Sequence, residues 1–168
     1  MSKLAAIATQ GKIYGVDYSK ESVAVASRTN RQWIDMARVE IREGSVSQLP
    51  FPEGVFDVVT AIETHFWWPD LPADMRQIFR VMKPGGTLII IAEVYKGANT
   101  MTAKLAEKYL PLSGMTLLSV DDHRELFANA GYTDVKVIEE PDKGWICGIG
   151  RKPSLPIGYV SDDAQKRG

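Results

Sequence analysis

Residues 75–92, MRQIFRVMKPGGTLIIIA, pass from helix to strand across one break. Met75, Ile78, Phe79 and Met82 recur at helical spacing on one face, and Pro84–Gly85–Gly86 ends that pattern. Leu88–Ala92 then form the most apolar strand-like run in the chain, the profile of a strand central to a sheet. Just upstream, Phe56–Ile62 is rich in β-formers and predicts another strand, read as buried, with a new helix opening after Pro69 and Asp70.

The alternation continues outward in both directions. Toward the N-terminus, Leu4–Thr9 reads as a helix ended by Gly11, and residues 12–16 as a short buried strand with Asp17 at its tip. Ser19 is placed to cap a helix running to about Asn30, a strand follows at 39–42, and the turn-rich residues 48–54 cross the surface. Toward the C-terminus, helices are expected over 100–109 and 121–130, the latter closed by Gly131. Strands at 135–138 and 145–150 can form a hairpin across Pro141–Lys143. The pattern predicts an α/β domain over residues 1–152 and an extended arm over 153–168, with no internal repeat.

With 168 residues, 45% of them apolar and 24% charged, the chain has the composition of a globular domain. A net charge of −1 and the lack of a basic run give no electrostatic footprint for nucleic acid. No apolar run approaches the ~20 residues that cross a bilayer, and the N-terminus carries no signal-peptide core. Neither nucleic acid nor a membrane is therefore expected as a partner, and a cytoplasmic location is. Cys147, the single cysteine, has no mate for a disulfide and no companions for a zinc site, and reads as a small apolar strand residue.

Ligands of open α/β sheets bind beyond the carboxyl ends of the strands, so chemistry is sought there. Asp17, beside Tyr18, can accept hydrogen bonds from both hydroxyls of a ribose, and by spacing alone serves equally as a turn or cap residue. Gly44–Ser45–Val46 lets a flat ring approach the backbone, or simply forms a turn. Glu63–Thr64–His65–Phe66–Trp67–Trp68 gathers a carboxylate, an imidazole and aromatic rings after a strand, and is the expected mouth of a pocket. There His65 is the candidate general base and Trp67 a candidate substrate contact; both are also ordinary packing residues. Tyr95, after the next strand, is the other candidate for lining the cleft, and His123, among acids at a helix start, reads as a solvated surface residue.

Four stretches in this order resemble the class I S-adenosylmethionine-dependent methyltransferases, especially the small-molecule branch that includes the ubiquinone and menaquinone biosynthesis enzymes. They are Gly15–Val16–Asp17–Tyr18–Ser19, Leu49–Pro50–Phe51–Pro52 with Phe56–Asp57–Val58–Val59, Trp68–Pro69–Asp70–Leu71, and Arg80–Val81–Met82–Lys83–Pro84–Gly85–Gly86–Thr87–Leu88. The resemblance implies a Rossmann-like three-layer sandwich with a mostly parallel, seven-stranded sheet and a C-terminal antiparallel hairpin. It also implies S-adenosylmethionine as cofactor, with Asp17 and Tyr18 at the ribose, Ser45 and Val46 flanking the adenine, and Glu63 and Thr64 at the methionine end. Many relatives carry an Asp where this chain has Ser45. In the family a first, central strand and its glycine-rich turn precede the stretch that Leu4 matches, and both are expected to be missing from this sequence.

Two functional classes follow from that reading. One is methyl transfer to a small-molecule acceptor. The other is a non-catalytic methyltransferase-fold domain that binds a partner or oligomerises. With the central strand absent, the strands ending at Val16 and Ile62 are expected either to pair directly or to recruit a second copy, giving a homodimer through exposed sheet edges. A nicotinamide-binding domain is disfavoured, because no Gly-x-Gly-x-x-Gly follows a first strand.

Overall fold

The computed structural model describes residues 1–154; most of the expected C-terminal arm, residues 155–168, lies outside the described residues. The chain divides into two compact units, Met1–Pro50 and Phe51–Gly168.

The first unit contains α1 (Ser2–Ile7), β1 (Ile13–Asp17), α2 (Lys20–Thr29), α3 (Arg31–Asp35) and β2 (Val39–Glu43). β1 and β2 pair in parallel, from Ile13 opposite Val39 to Asp17 opposite Glu43. Ser19 caps α2, its hydroxyl accepting the Ser22 N–H at 3.1 Å. The Arg38 guanidinium donates to the carbonyls of Ala5, Ala8 and Gly11, tying the end of α1 and the turn after it to the residue before β2. The single-turn α3 has no counterpart in the sequence reading, since five residues are too few for an amphipathic period to show.

The second unit contains β3 (Phe56–Ile62), α4 (Leu71–Val81), β4 (Met82–Ala92), α5 (Met101–Tyr109), α6 (Val120–Asn129), β5 (Thr133–Glu140) and β6 (Trp145–Arg151). Its sheet has the order β3-β4-β6-β5, with β3 parallel to β4, and β6 antiparallel to both of its neighbours. Asp70 caps α4 by accepting the Ala73 N–H, and the apolar face of that helix buries Met75, Ile78 and Val81. Leu88 and Ile90 of β4, Phe127 of α6 and Ile146 of β6 are fully or nearly fully buried, so the core lies on this central part of the sheet.

The Lys-Pro-Gly-Gly segment acts differently from a simple helix stop. α4 ends at Val81, and Met82 is already extended and opposite Phe56. The ladder then shifts register, so that Val58 faces Thr87, and residues 83–86 form the irregularity. Gly85 has φ +79°, and a Cβ on Gly86 would lie 2.9 Å from the Lys83 carbonyl oxygen and 3.1 Å from that of Phe56, so both positions require glycine. The Lys152 ammonium donates to the carbonyls of Phe79 and Met82 at 2.8 and 2.9 Å, closing the end of α4.

Two expectations are corrected. β3 was expected to be buried, yet within it only Ala61 is, because it is an edge strand with one neighbour. Among the described residues β1 pairs with β2, and β3 with β4. The described residues form the six strands that the sequence predicts, as a two-stranded and a four-stranded sheet. Finally, His123 is 1% exposed rather than solvated, because it faces inward from α6, whose buried face it shares with Leu126 and Phe127.

Candidate functional site

In the first unit, β1 and β2 end side by side, and the Gly44 N–H donates to the Asp17 carbonyl at 3.0 Å. Asp17–Tyr18 and Gly44–Val46 therefore leave the same edge of the small sheet. The Asp17 side chain is exposed; its Oδ1 accepts the Ser19 N–H at 2.9 Å, and Oδ2 has no hydrogen bond among the described residues. Tyr18 is exposed as well. The Ser45 hydroxyl accepts the Ser47 N–H at 3.2 Å, and Ser45 bridges to Gln48, so this residue does form a turn while its own O–H stays available to donate. Val46 is half-buried beside it.

In the second unit, β3 and β4 end together, with Ile62 opposite Ile91 and the Glu63 N–H on the Ile91 carbonyl at 2.9 Å. Glu63 adopts a left-handed backbone with φ +56°, unusual for a residue with a Cβ. Its Oε1 accepts the Glu93 N–H. Burial raises the Glu63 carboxyl above the usual range, and the charge of Glu93 adds to that, against the lowering effect of the backbone hydrogen bond. Thr64 is exposed and leads into the 3-10 turn His65–Trp67.

That turn sorts its side chains sharply. Trp67 is 56% exposed, whereas His65 and Phe66 are buried. His65 Nε2 lies 3.2 Å from His123 Nε2, and burial, with the neighbouring imidazole adding, pushes His65 down to about 3. His65 is thus a weak base with no solvent-facing nitrogen. Tyr95 is also buried, in a cluster with Phe66, Ala92, Ala98, Ala103 and Ile146. Its hydroxyl donates to Glu139 at 2.7 Å, and burial followed by that carboxylate pushes the phenol up to about 12. Among the described residues, no group of three or more His, Cys, Asp or Glu is arranged to hold a metal ion.

The structure brings Asp17, Tyr18, Ser45 and Val46 to one strand edge, and Glu63, Thr64 and Trp67 to another, with His65 and Tyr95 buried behind the second. Glu93 and Glu139 escaped the sequence reading. Glu93 directly follows Ala92 at a strand tip, so the rule that selected Glu63 would have found it. Glu139 lies inside a strand and carried no such signal.

A family model described as a methyltransferase domain matches residues 1–90, more than half of the chain. The chain belongs to the methyltransferase-domain family. A demethylmenaquinone methyltransferase from Geobacillus sp. (strain WCH70) is 28% identical over 152 residues, covering 79% of this chain and 64% of that protein. The chain thus spans just under two thirds of that relative's length. Among solved structures, an S-adenosylmethionine-dependent methyltransferase from Aquifex aeolicus superposes with a TM-score of 0.72 at 18% identity, over 89% of this chain and 74% of the other. Haemonchus contortus phosphoethanolamine N-methyltransferase 2, solved with phosphomonomethylethanolamine and S-adenosylhomocysteine, gives 0.74 at 17% identity, over 91% and 46%. These superpositions establish the Rossmann-like methyltransferase fold, and the sequence match establishes the resemblance to the menaquinone biosynthesis enzymes.

Proposed function

We propose that the protein is an S-adenosylmethionine-dependent methyltransferase acting on a small-molecule acceptor of the hydroquinone or phenol class. The observation that carries this reading is the Asp17 carboxylate at the tip of β1, exposed and with Oδ2 uncommitted. A bidentate acceptor of this kind suits the two hydroxyls of a ribose. The donor set around it fits the cofactor: Tyr18 offers an exposed ring, and Ser45 and Val46 form a turn with a spare donor and an apolar flank on the adjoining strand tip. The family resemblance assigns Glu63 and Thr64 to the cofactor's methionine end. When bound, the cofactor supplies a methyl group activated by a sulfonium charge.

The protein's own contribution is chiefly orientation. Glu63 is fixed by its hydrogen bond from Glu93, so its carboxylate presents one defined geometry. Trp67 offers an exposed aromatic face to an acceptor ring, while His65 and Tyr95 act from behind as neutral, buried supports. The acceptor class is supported by the demethylmenaquinone methyltransferase relative. The direct test is to incubate the chain with methyl-labelled cofactor and a panel of hydroquinones and phenols. Label should appear in at least one acceptor and be lost in Asp17→Ala; cofactor binding with no transfer to any acceptor would contradict catalysis.

A second reading, a non-catalytic domain that self-associates, is favoured by β3 alone. That edge strand exposes Val58 and Ile62 by about half each, an apolar edge suited to strand addition from a second copy. Ultracentrifugation separates the readings: a dimer abolished by Val58→Lys, without any methyl transfer, supports the second.

A further inference from the structure

α5 presents its apolar side outward. Met101, Leu105 and Tyr109 recur every four residues along one face and are 72%, 49% and 50% exposed. Ala103, half a turn away on the opposite face, is fully buried. Thr100 caps the helix by accepting the Ala103 N–H, so α5 is a properly started helix. The 3-10 turn that follows, Leu110–Ser113, extends the apolar surface with Leu112 at 80% exposure. A helix folded for its own sake would turn this stripe inward. A contiguous exposed stripe of this kind marks an interaction surface.

The charges beside the stripe indicate what it meets. Lys104 and Lys108 project from positions three residues after Met101 and Leu105, along one border of the apolar face, and Lys108 lies 5.1 Å over the Tyr109 ring. From Val94 to Val120 the only acid is Glu107, and its carboxylate accepts the Gly97 N–H at 2.6 Å. The segment is thus locally basic in a chain whose net charge is −1. Unbranched or flexible apolar side chains, an amphipathic Tyr and bordering lysines with long apolar stems form the composition of a helix that lies in a lipid interface. A second copy docked stripe to stripe would place lysines against lysines with no facing acid, which disfavours self-association here.

We propose that α5 and the turn after it form a docking surface for an anionic lipid bilayer, lying on the membrane rather than crossing it. Among the described residues, no helix is long and apolar enough to span a bilayer. The expectation of no membrane partner rested on that same criterion, which an interfacial helix never has to meet. The surface also lies at the functional end of the sheet: α5 begins beside the β5–β6 turn, where a Cβ on Gly144 would be 3.1 Å from Thr100 Oγ1, and Ala92 at the end of β4 pairs with Ile146 just beyond that turn. The inference requires neither bound cofactor nor an acceptor, so it stands or falls apart from the proposed function.

Co-sedimentation of the full chain with vesicles tests it. Binding is expected with phosphatidylcholine vesicles containing phosphatidylglycerol, weakening as salt rises, and not with phosphatidylcholine alone. Leu105→Glu with Leu112→Glu should abolish it, and Lys104→Gln with Lys108→Gln should weaken it about tenfold, at about a factor of three to five per lysine. All four positions are exposed, and unchanged thermal unfolding of the variants confirms that the fold is intact. Failure of the wild-type chain to bind anionic vesicles overturns the proposal. So does self-association without lipid that Leu112→Glu abolishes, which would assign the stripe to a second copy.

Discussion

The Nε2 atoms of His65 and His123 face each other at 3.2 Å inside the second unit, and only one of them can carry the proton between them. The rest of the network decides which. His123 Nδ1 lies 2.7 Å from the Ser119 carbonyl, an acceptor, so Nδ1 holds the His123 proton and Nε2 is left to accept. His65 Nε2–H therefore donates, and His65 Nδ1 is a buried bare nitrogen with no partner among the described residues. The pair joins the turn after β3, which carries Trp67, to the first turn of α6, where Ser119 and Asp122 form a capping box.

This pair makes stability depend on pH. Burial lowers both imidazoles in the folded protein, His65 to about 3, while the unfolded chain has ordinary histidines near 6.5. Between those values the unfolded state binds more protons, so the stabilisation is complete above about pH 6.5 and is lost as pH falls toward about 3. Denaturant titrations should show stability decreasing by a few kcal/mol from about pH 7 to about pH 4, with carboxylates adding their own part near the low end. In His65→Phe the part of that slope between about pH 6.5 and about pH 5 should flatten; an identical slope in the variant would show that the pair is not its source.

Phe127 should make two glycines of β6 irreplaceable. A Cβ on Gly148 would come within 2.8 Å of the Phe127 ring, and one on Gly150 would overlap the same ring and sit 3.1 Å from Tyr132 Cβ. Gly150→Ala is expected to cost about 1–3 kcal/mol by overpacking, measured by thermal unfolding, and Phe127→Leu in the same chain should recover part of it. Equal stability of Gly150→Ala and the parent would mean that the ring yields freely.

Glu63 separates stability from function. Glu63→Gly relieves the left-handed backbone, worth about 1 kcal/mol, and removes a hydrogen bond of similar worth, so folding stability should change by no more than about 1 kcal/mol. Affinity for the cofactor should nevertheless fall, because the fixed carboxylate is gone. A variant that binds as tightly as the parent would remove Glu63 from the site.

Much of the fold was legible because its signals are local. Ser19, Asp70 and Thr100 cap helices where the sequence places cap formers, and Phe56–Ile62 forms a strand over the range its β-branched residues predict. What escaped depends on contacts distant in sequence. His123 looks solvated among Asp121, Asp122 and Arg124, yet helical phase turns it inward to a residue 58 positions away. The Pro-Gly-Gly segment reads as a helix stop, whereas its glycines serve a register shift against β3 that no local pattern encodes. The strand-tip residues were found because topology fixes where such sheets bind ligands; the partners holding them, Glu93 and Glu139, come from other strands or strand ends.

The most direct measurement is calorimetric titration of the chain with S-adenosylhomocysteine, with Asp17→Ala beside it. The account predicts saturable binding by the parent and a loss of about tenfold to a hundredfold in the variant, as expected for removal of a charged acceptor from two hydroxyls. Tight binding that is indifferent to Asp17→Ala, or no binding by the folded parent up to millimolar ligand, would contradict the assignment of the β1 tip as the cofactor site.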